Sequence, residues 1–330
     1  LLEDVTVSGE WTPIGTKEEP FTGVLNGNHK TIEGLTITNP EMNAGLVGVN
    51  NGSVKNLELT NTSISSTHTM VGGIAGQNNG LIENCHIESG DISGTGNDMY
   101  QDVNVEEARN AGSRVGGICG QNNDGGIIQN CTNKAEVTAS YRLVGGICGY
   151  SLGGDIINCE NTGAINGTFQ IGGIAGDAEG LNTNNISYVR NCKNYGKLNQ
   201  TSGTEYPNNA DTGGIVGCCY KYAVVDNCIN EGNVTVEGSS TGGVVGVSYY
   251  SIQNCENTGE IQNTSTDTGK CSNIAGIVGL SVGSISNCSN CGNITASSSS
   301  SIYIGGIVGS HRLASNGSSV LPILLENCFN

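Results

Sequence analysis

The chain has 330 residues, 52 of them glycine and only 5 proline, with aromatics at 5% and charged residues at 13%. An average soluble domain is about a quarter charged, and Gly, Asn, Ser and Thr are weak helix formers, so coiled coil, helical bundle and charge-rich disorder are excluded and a mostly β chain is expected. A formal net charge of −17 repels phosphate backbones and anionic headgroups, which argues against nucleic acid and membrane surfaces as partners, and no run of about 20 apolar residues exists for membrane insertion.

Residues 1–43 come first and read as an entry coil and cap. The opening Leu1-Leu2-Glu3-Asp4 carries neither an initiator Met nor a signal-peptide pattern, so a trimmed piece of a longer chain is expected. From residue 44 onward one pentapeptide recurs: Ala44-Gly45-Leu46-Val47-Gly48, Gly72 to Gly76, Gly116 to Gly120, Gly145 to Gly149, Gly172 to Gly176, Gly213 to Gly217, Gly242 to Gly246, Ala275 to Gly279 and Gly305 to Gly309. The spacing is about 27 to 33 residues, stretched to about 41 to 44 in two places.

A second element follows each copy: an aliphatic residue, any residue, Asn, then Cys. Its Asn residues are Asn84, Asn130, Asn158, Asn191, Asn227, Asn254, Asn287 and Asn327, and its cysteines are Cys85, Cys131, Cys159, Cys192, Cys228, Cys255, Cys288 and Cys328. The earliest copy, Val54-Lys55-Asn56-Leu57, has Leu in place of Cys. A third element alternates. Cys159, Asn161, Gly163 and Ile165 recur in type at 255, 257, 259 and 261, with polar residues between them, the period-2 mark of a strand with one buried face.

A unit of this size cannot bury its own apolar side, but copies stacked in register form a continuous core. The expectation is an all-β parallel β-helix of nine to ten coils, three short strands per coil, right-handed by the usual chirality of parallel crossovers. At roughly 4.8 Å per stacked strand, nine coils make a rod about 43 Å long. Residues 1–43 and 44–330 then form one elongated domain.

These repeats resemble the GLUG family, named for a Gly-Leu-(variable)-Gly motif that Gly45-Leu46-Val47-Gly48 matches directly and later copies match with Ile or Val for Leu. The segment from Trp11 to Ile32 is similar to the opening that precedes such repeats. The resemblance implies a bacterial, extracellular, cell-surface setting: the family includes adhesins and non-catalytic regions of immunoglobulin-cleaving metalloproteases. It implies architecture more firmly than activity.

The ladder cysteines read as small apolar filler, since Leu57 stands at their position and free Cys is among the most buried residue types. Cys119 and Cys148 occupy places held elsewhere by Ala75, Ala175 and Val216. Any reactive or bridged thiol belongs among Cys218, Cys219, Cys271 and Cys291, off the ladder. The repeated Asn residues are expected to form an inward ladder at a bend, each amide bonding the next coil and the turn backbone.

Function in a solenoid concentrates in loops along its edges. One edge carries insertions 95–114, 199–212 and 262–274, and another carries 177–188 and 310–324. Tyr150, Tyr220, Tyr222, Tyr249 and Tyr250 each follow a pentapeptide and are expected to crowd one corner as a strip that binds glycan or protein. Asp98, Asp102, Glu106 and Glu107 lack the ordered spacing of a calcium loop. No His-Glu-x-x-His motif is present, and Ser310-His311-Arg312 resembles a polygalacturonase element without its paired Asp motifs. The reading is a non-catalytic, adhesin-like surface protein without cofactor or metal, a monomer within a longer chain, partnered by a host or matrix glycan or protein. A passive stalk is the alternative, and a carbohydrate-active β-helix enzyme comes third.

Overall fold

A computed structural model of the chain describes residues 1–38, 43–67, 70–95, 113–201, 210–238, 240–265, 272–297, 302–312 and 324–330. Among these residues there is no helix. Short strands stack in parallel into a β-solenoid of about nine turns. The repeat is plainest over 144–170. Val144–Gly145 lies in a first sheet and Cys148–Leu152 in a second; Asp155–Ile157 and Glu160–Asn161 both lie in a third, and Ile165–Gly167 in a fourth. These four sheets hold 8, 9, 17 and 9 strands.

The coil therefore has five short strands where three were expected. The glycine pentapeptide is a strand, a bend and a second strand, and a left-handed residue splits the third sheet in two. Register is kept by stacking like on like: Val144 pairs with Ile171, Cys148 with Ala175, and Asn161 with Asn194. The strands Val5–Thr6, Val24–Glu33 and Thr36–Thr38 continue the third and fourth sheets at the N-terminal end.

Inside, aliphatic columns run along the axis. Ile128, Ile156, Val189, Val225 and Ile252 sit one above another with no solvent exposure. Each such side chain contributes about 1.5 to 3 kcal/mol by burial, and the column repeats in every coil, so the long thin core is held together by neighbour contacts alone.

A buried asparagine ladder runs beside these columns. Asn133, Asn161, Asn194, Asn230 and Asn257 are fully shielded. The Asn161 amide donates to the Asn194 Oδ1 at 2.9 Å and to the Gly163 carbonyl at 2.9 Å, and the Asn161 Oδ1 accepts from Asn133 at 2.9 Å. Gly146, the second glycine of its corner, lies directly over this side chain: a Cβ there would sit 2.3 Å from the Asn161 Cγ and 2.2 Å from the Gly173 carbonyl oxygen. Glycine and asparagine are thus two halves of one packing unit.

Candidate functional site

The Asn residues before the ladder cysteines do not point inward. Asn158, Asn191, Asn227, Asn254 and Asn287 are exposed and adopt φ between 51° and 55°. Their amides link coils on the outside, as in Asn191 to Asn158 at 3.0 Å and Asn227 to Asn191 at 2.8 Å. Asn84 is half-buried and bonds to Asn56 at 3.0 Å, Asn130 accepts from Asn158 at 3.1 Å, and Asn327 donates to Asn287 at 3.3 Å. The expected inward ladder is corrected to an outward one. The left-handed backbone at this residue interrupts the in-out alternation, so two consecutive side chains face solvent before Cys159 turns back in.

All thirteen cysteines among the described residues are free. Cys85, Cys131, Cys159, Cys192, Cys228, Cys255 and Cys288 are buried and Cys328 is half-buried. Their thiols donate to backbone carbonyls, as Cys159 does to Ile157 at 3.3 Å. Burial raises Cys119, Cys131, Cys192 and Cys228 well above the ordinary thiol value, which keeps them protonated and unreactive. Cys218 and Cys219 are buried as well, Cys219 pushed up to about 12. Cys291 is exposed. Cys271, the acidic group Asp98 to Glu107, and residues 96–112, 202–209, 266–271 and 313–323 of the insertions lie outside the described residues. Among the described residues no group of three or more His, Cys, Asp and Glu side chains is placed to hold a metal ion.

The tyrosines divide. Tyr220 and Tyr249 stack with centroids 5.5 Å apart and planes 6° from parallel; Tyr222 and Tyr250 meet at 5.7 Å and 58°. All four lie on the corner between the second and third sheets of two adjacent coils, with Tyr249 39% exposed and the other three half-buried. Tyr150 is different and leaves the strip. Its ring is 5% exposed under the Arg114 guanidinium, and its hydroxyl donates to the Glu179 Oε2 at 2.8 Å. Desolvation, with the charges of Glu179 and Asp177, raises its pKa well beyond the ordinary tyrosine value.

Tyr150 belongs to a seam that sequence reasoning missed. On the outer side of the glycine bend, side chains from the first sheet face side chains seven residues later in the second. The Gln170 amide donates to the Asp177 Oδ2 at 3.2 Å and approaches the Tyr220 hydroxyl at 3.3 Å. Arg142 donates to the Gln170 Oε1 through Nε at 2.7 Å. Farther along, Cys218, Val247 and Leu280 form a separate apolar cluster against which Tyr220 packs. The signal in the sequence was the seven-residue spacing of Gln170 and Asp177 and of Asp211 and Cys218.

The same corner that carries the four tyrosines also holds a cleft of about 360 Å³ on the three preceding coils. Asp124, Ile127, Asp155, Asn184, Asn185 and Tyr188 line it. The Asn185 amide donates to the Asp124 carboxylate, and the Tyr188 backbone N–H donates to the Asp155 Oδ1 at 2.9 Å. Segment 177–188, expected as a decorated edge, supplies half of its wall.

Comparison with known proteins adds three findings. The family of the GLUG motif matches residues 111–138 and 140–166. Halomucin from Haloquadratum walsbyi (strain DSM 16790 / HBSQ001) is 29% identical over 171 residues, covering 43% of this chain and 2% of that much longer protein. A solved structure described as a candidate immunoglobulin A1 protease from Bacteroides ovatus aligns with 94% of this chain and 76% of its own at 21% identity, with a TM-score of 0.44. The GLUG-motif match thus covers two neighbouring stretches of the chain, and the glycine corner they contain recurs from coil to coil.

Proposed function

We propose that this chain is a non-catalytic, adhesin-like segment of an extracellular bacterial surface protein, binding a host or matrix glycan or protein along one corner of the solenoid. The observation that carries the reading is the group formed by Tyr220, Tyr222, Tyr249 and Tyr250, aromatic surface kept at a corner by two adjacent coils. Large amphipathic rings at a fixed position give contact area at low entropic cost. In such a setting burial shields the thiols, and of the described cysteines only Cys291 and Cys328 are open to oxidant.

The test is a glycan-array and matrix-protein screen of the chain beside a variant with Tyr220, Tyr222, Tyr249 and Tyr250 all changed to Ala. Binding by the wild type and loss in the variant is the expected result. Binding that survives all four substitutions removes the tyrosines from the site, and no binding to any probe sinks the adhesin reading in favour of the stalk.

A further inference from the structure

The geometry points to the cleft over the third to fifth repeat coils as a binding site for one residue of a neutral saccharide. This inference deepens the binding reading above and shares its premise, but it rests on different residues. The connections between the second and third sheets at 79–80, 249–250 and 282–283 have two residues each, the shortest that turn the corner. The connections 123–126 and 180–186 are longer and flank the short 153–154, so two raised loops stand on either side of a lowered coil. The floor is glycine. Gly153 has φ +75°, and a Cβ on it would lie 3.2 Å from Leu181 Cγ and 3.4 Å from the Asn185 Oδ1, so a larger residue would fill the hollow from below.

The lining selects the ligand class. Asp124 and Asp155 offer acceptor-only carboxylates, Asn184 and Asn185 offer paired donor and acceptor groups, and Tyr188 and Ile127 offer apolar surface. A sugar ring presents that combination in reverse: adjacent hydroxyls that donate and accept around its rim, with C–H groups on its faces. Calcium requires six to eight oxygen ligands, and here two carboxylates already accept a hydrogen bond from Asn185 and from the Tyr188 N–H respectively. Anionic ligands meet two negative groups. The volume is at the small end of ligand sites and fits a single ring better than a peptide segment. Burial also raises the Asp155 carboxyl, the mark of a partly desolvated wall, against the opposing Tyr188 N–H bond and the Arg190 charge. The Arg190 guanidinium lies 5.3 Å from the Tyr188 ring centroid and holds that ring in place. Because the tyrosine corner follows directly on the next coils, a longer oligosaccharide leaving the cleft runs onto Tyr220 and Tyr249.

The experiment is calorimetric titration of the intact chain with maltohexaose, cellohexaose and mannohexaose, sialyllactose as an anionic control, and calcium chloride. The Asp155→Asn variant keeps an oxygen for the Tyr188 N–H and removes the charge, and Asp124→Ala removes an exposed carboxylate; circular dichroism confirms that both fold. Binding of at least one neutral hexasaccharide, weakened about tenfold or more in each variant, is the expected result. Neutral-sugar binding unchanged in both cleft variants and lost with the tyrosines overturns the cleft while leaving the adhesin reading standing. Heat from calcium that disappears in Asp124→Ala overturns it in favour of a cation site. No neutral sugar bound at all also overturns it, and the wider screen above then decides whether the adhesin reading falls too.

Discussion

Asn158 and Asn161 lie three residues apart on one coil and do different work. Asn161 is fully buried, and its amide group and its oxygen are all engaged by neighbouring coils or its own turn. Removing the side chain leaves the Asn133 amide and the Asn194 oxygen short of partners inside the core, each at about 1 to 3 kcal/mol. Asn158 is exposed and is tied to its place by φ 53°, which Gly adopts freely. Asn161→Ala is therefore expected to lose about 3 kcal/mol in urea unfolding, and Asn158→Gly less than about 1 kcal/mol. Equal midpoints for the two variants would show that the buried ladder does not hold the coils together. The alternation of Cys159, Asn161, Gly163 and Ile165 made the buried face legible from sequence. The direction of Asn158 was not, because a single left-handed residue shifts the alternation and leaves no trace in residue type that separates it from an inward Asn.

At the level of the element, the glycine bend decides what the sequence conceals. Period-2 patterns mark which residues leave the main core, but not that the first and second sheets fold toward each other outside it. Arg114 and Tyr150, or Gln170 and Asp177, consequently read as surface residues and are instead 3 to 5% exposed. Asp211 lies in this seam. Burial pushes its carboxyl up to about 7, opposed by the Arg142 guanidinium and a hydrogen bond with Ser240. In the unfolded chain an Asp titrates near 3.9, so between about pH 4 and pH 7 the folded state holds the proton more tightly than the unfolded state. Stability contributed by this group is full below the unfolded value, falls as pH rises through the window, and is level above about 7. Thermal melts from pH 4.5 to 8 are expected to show a decline in the wild type that is shallower in Asp211→Asn. Parallel curves would mean that Asp211 is ionised in the fold throughout.

For the whole molecule, the parallel solenoid was the most legible feature, because nine copies of one corner admit few arrangements and only stacking in register buries Ile over Ile and Asn over Asn. What the repeat could not show was the number of strands per coil, since a two-residue strand such as Glu160–Asn161 differs from a turn only by its neighbours' pairing. The same logic gives a test of modularity. Val144 and Ile171 are register partners 27 residues apart, so deleting 144–170 places Ile171 beside Val115 with every column intact. Stability in a stacked array is a sum of coil and interface terms, so the shortened chain is expected to fold to the same β spectrum. Its urea m-value should fall by roughly one-twelfth, in proportion to the surface removed. Deleting 158–170 instead joins Ile157 to Ile171 and skips Glu160–Asn161 and Ile165–Gly167, so in that coil the third sheet keeps Asp155–Ile157 but loses its second strand and the fourth sheet loses its rung, while the first and second keep theirs. That chain is expected to unfold or to aggregate through the strand edges it leaves open. If both deletions fold equally well, register between coils is not what specifies this structure; if neither folds, the coils are not interchangeable units and the insertions carry stability that the repeats do not.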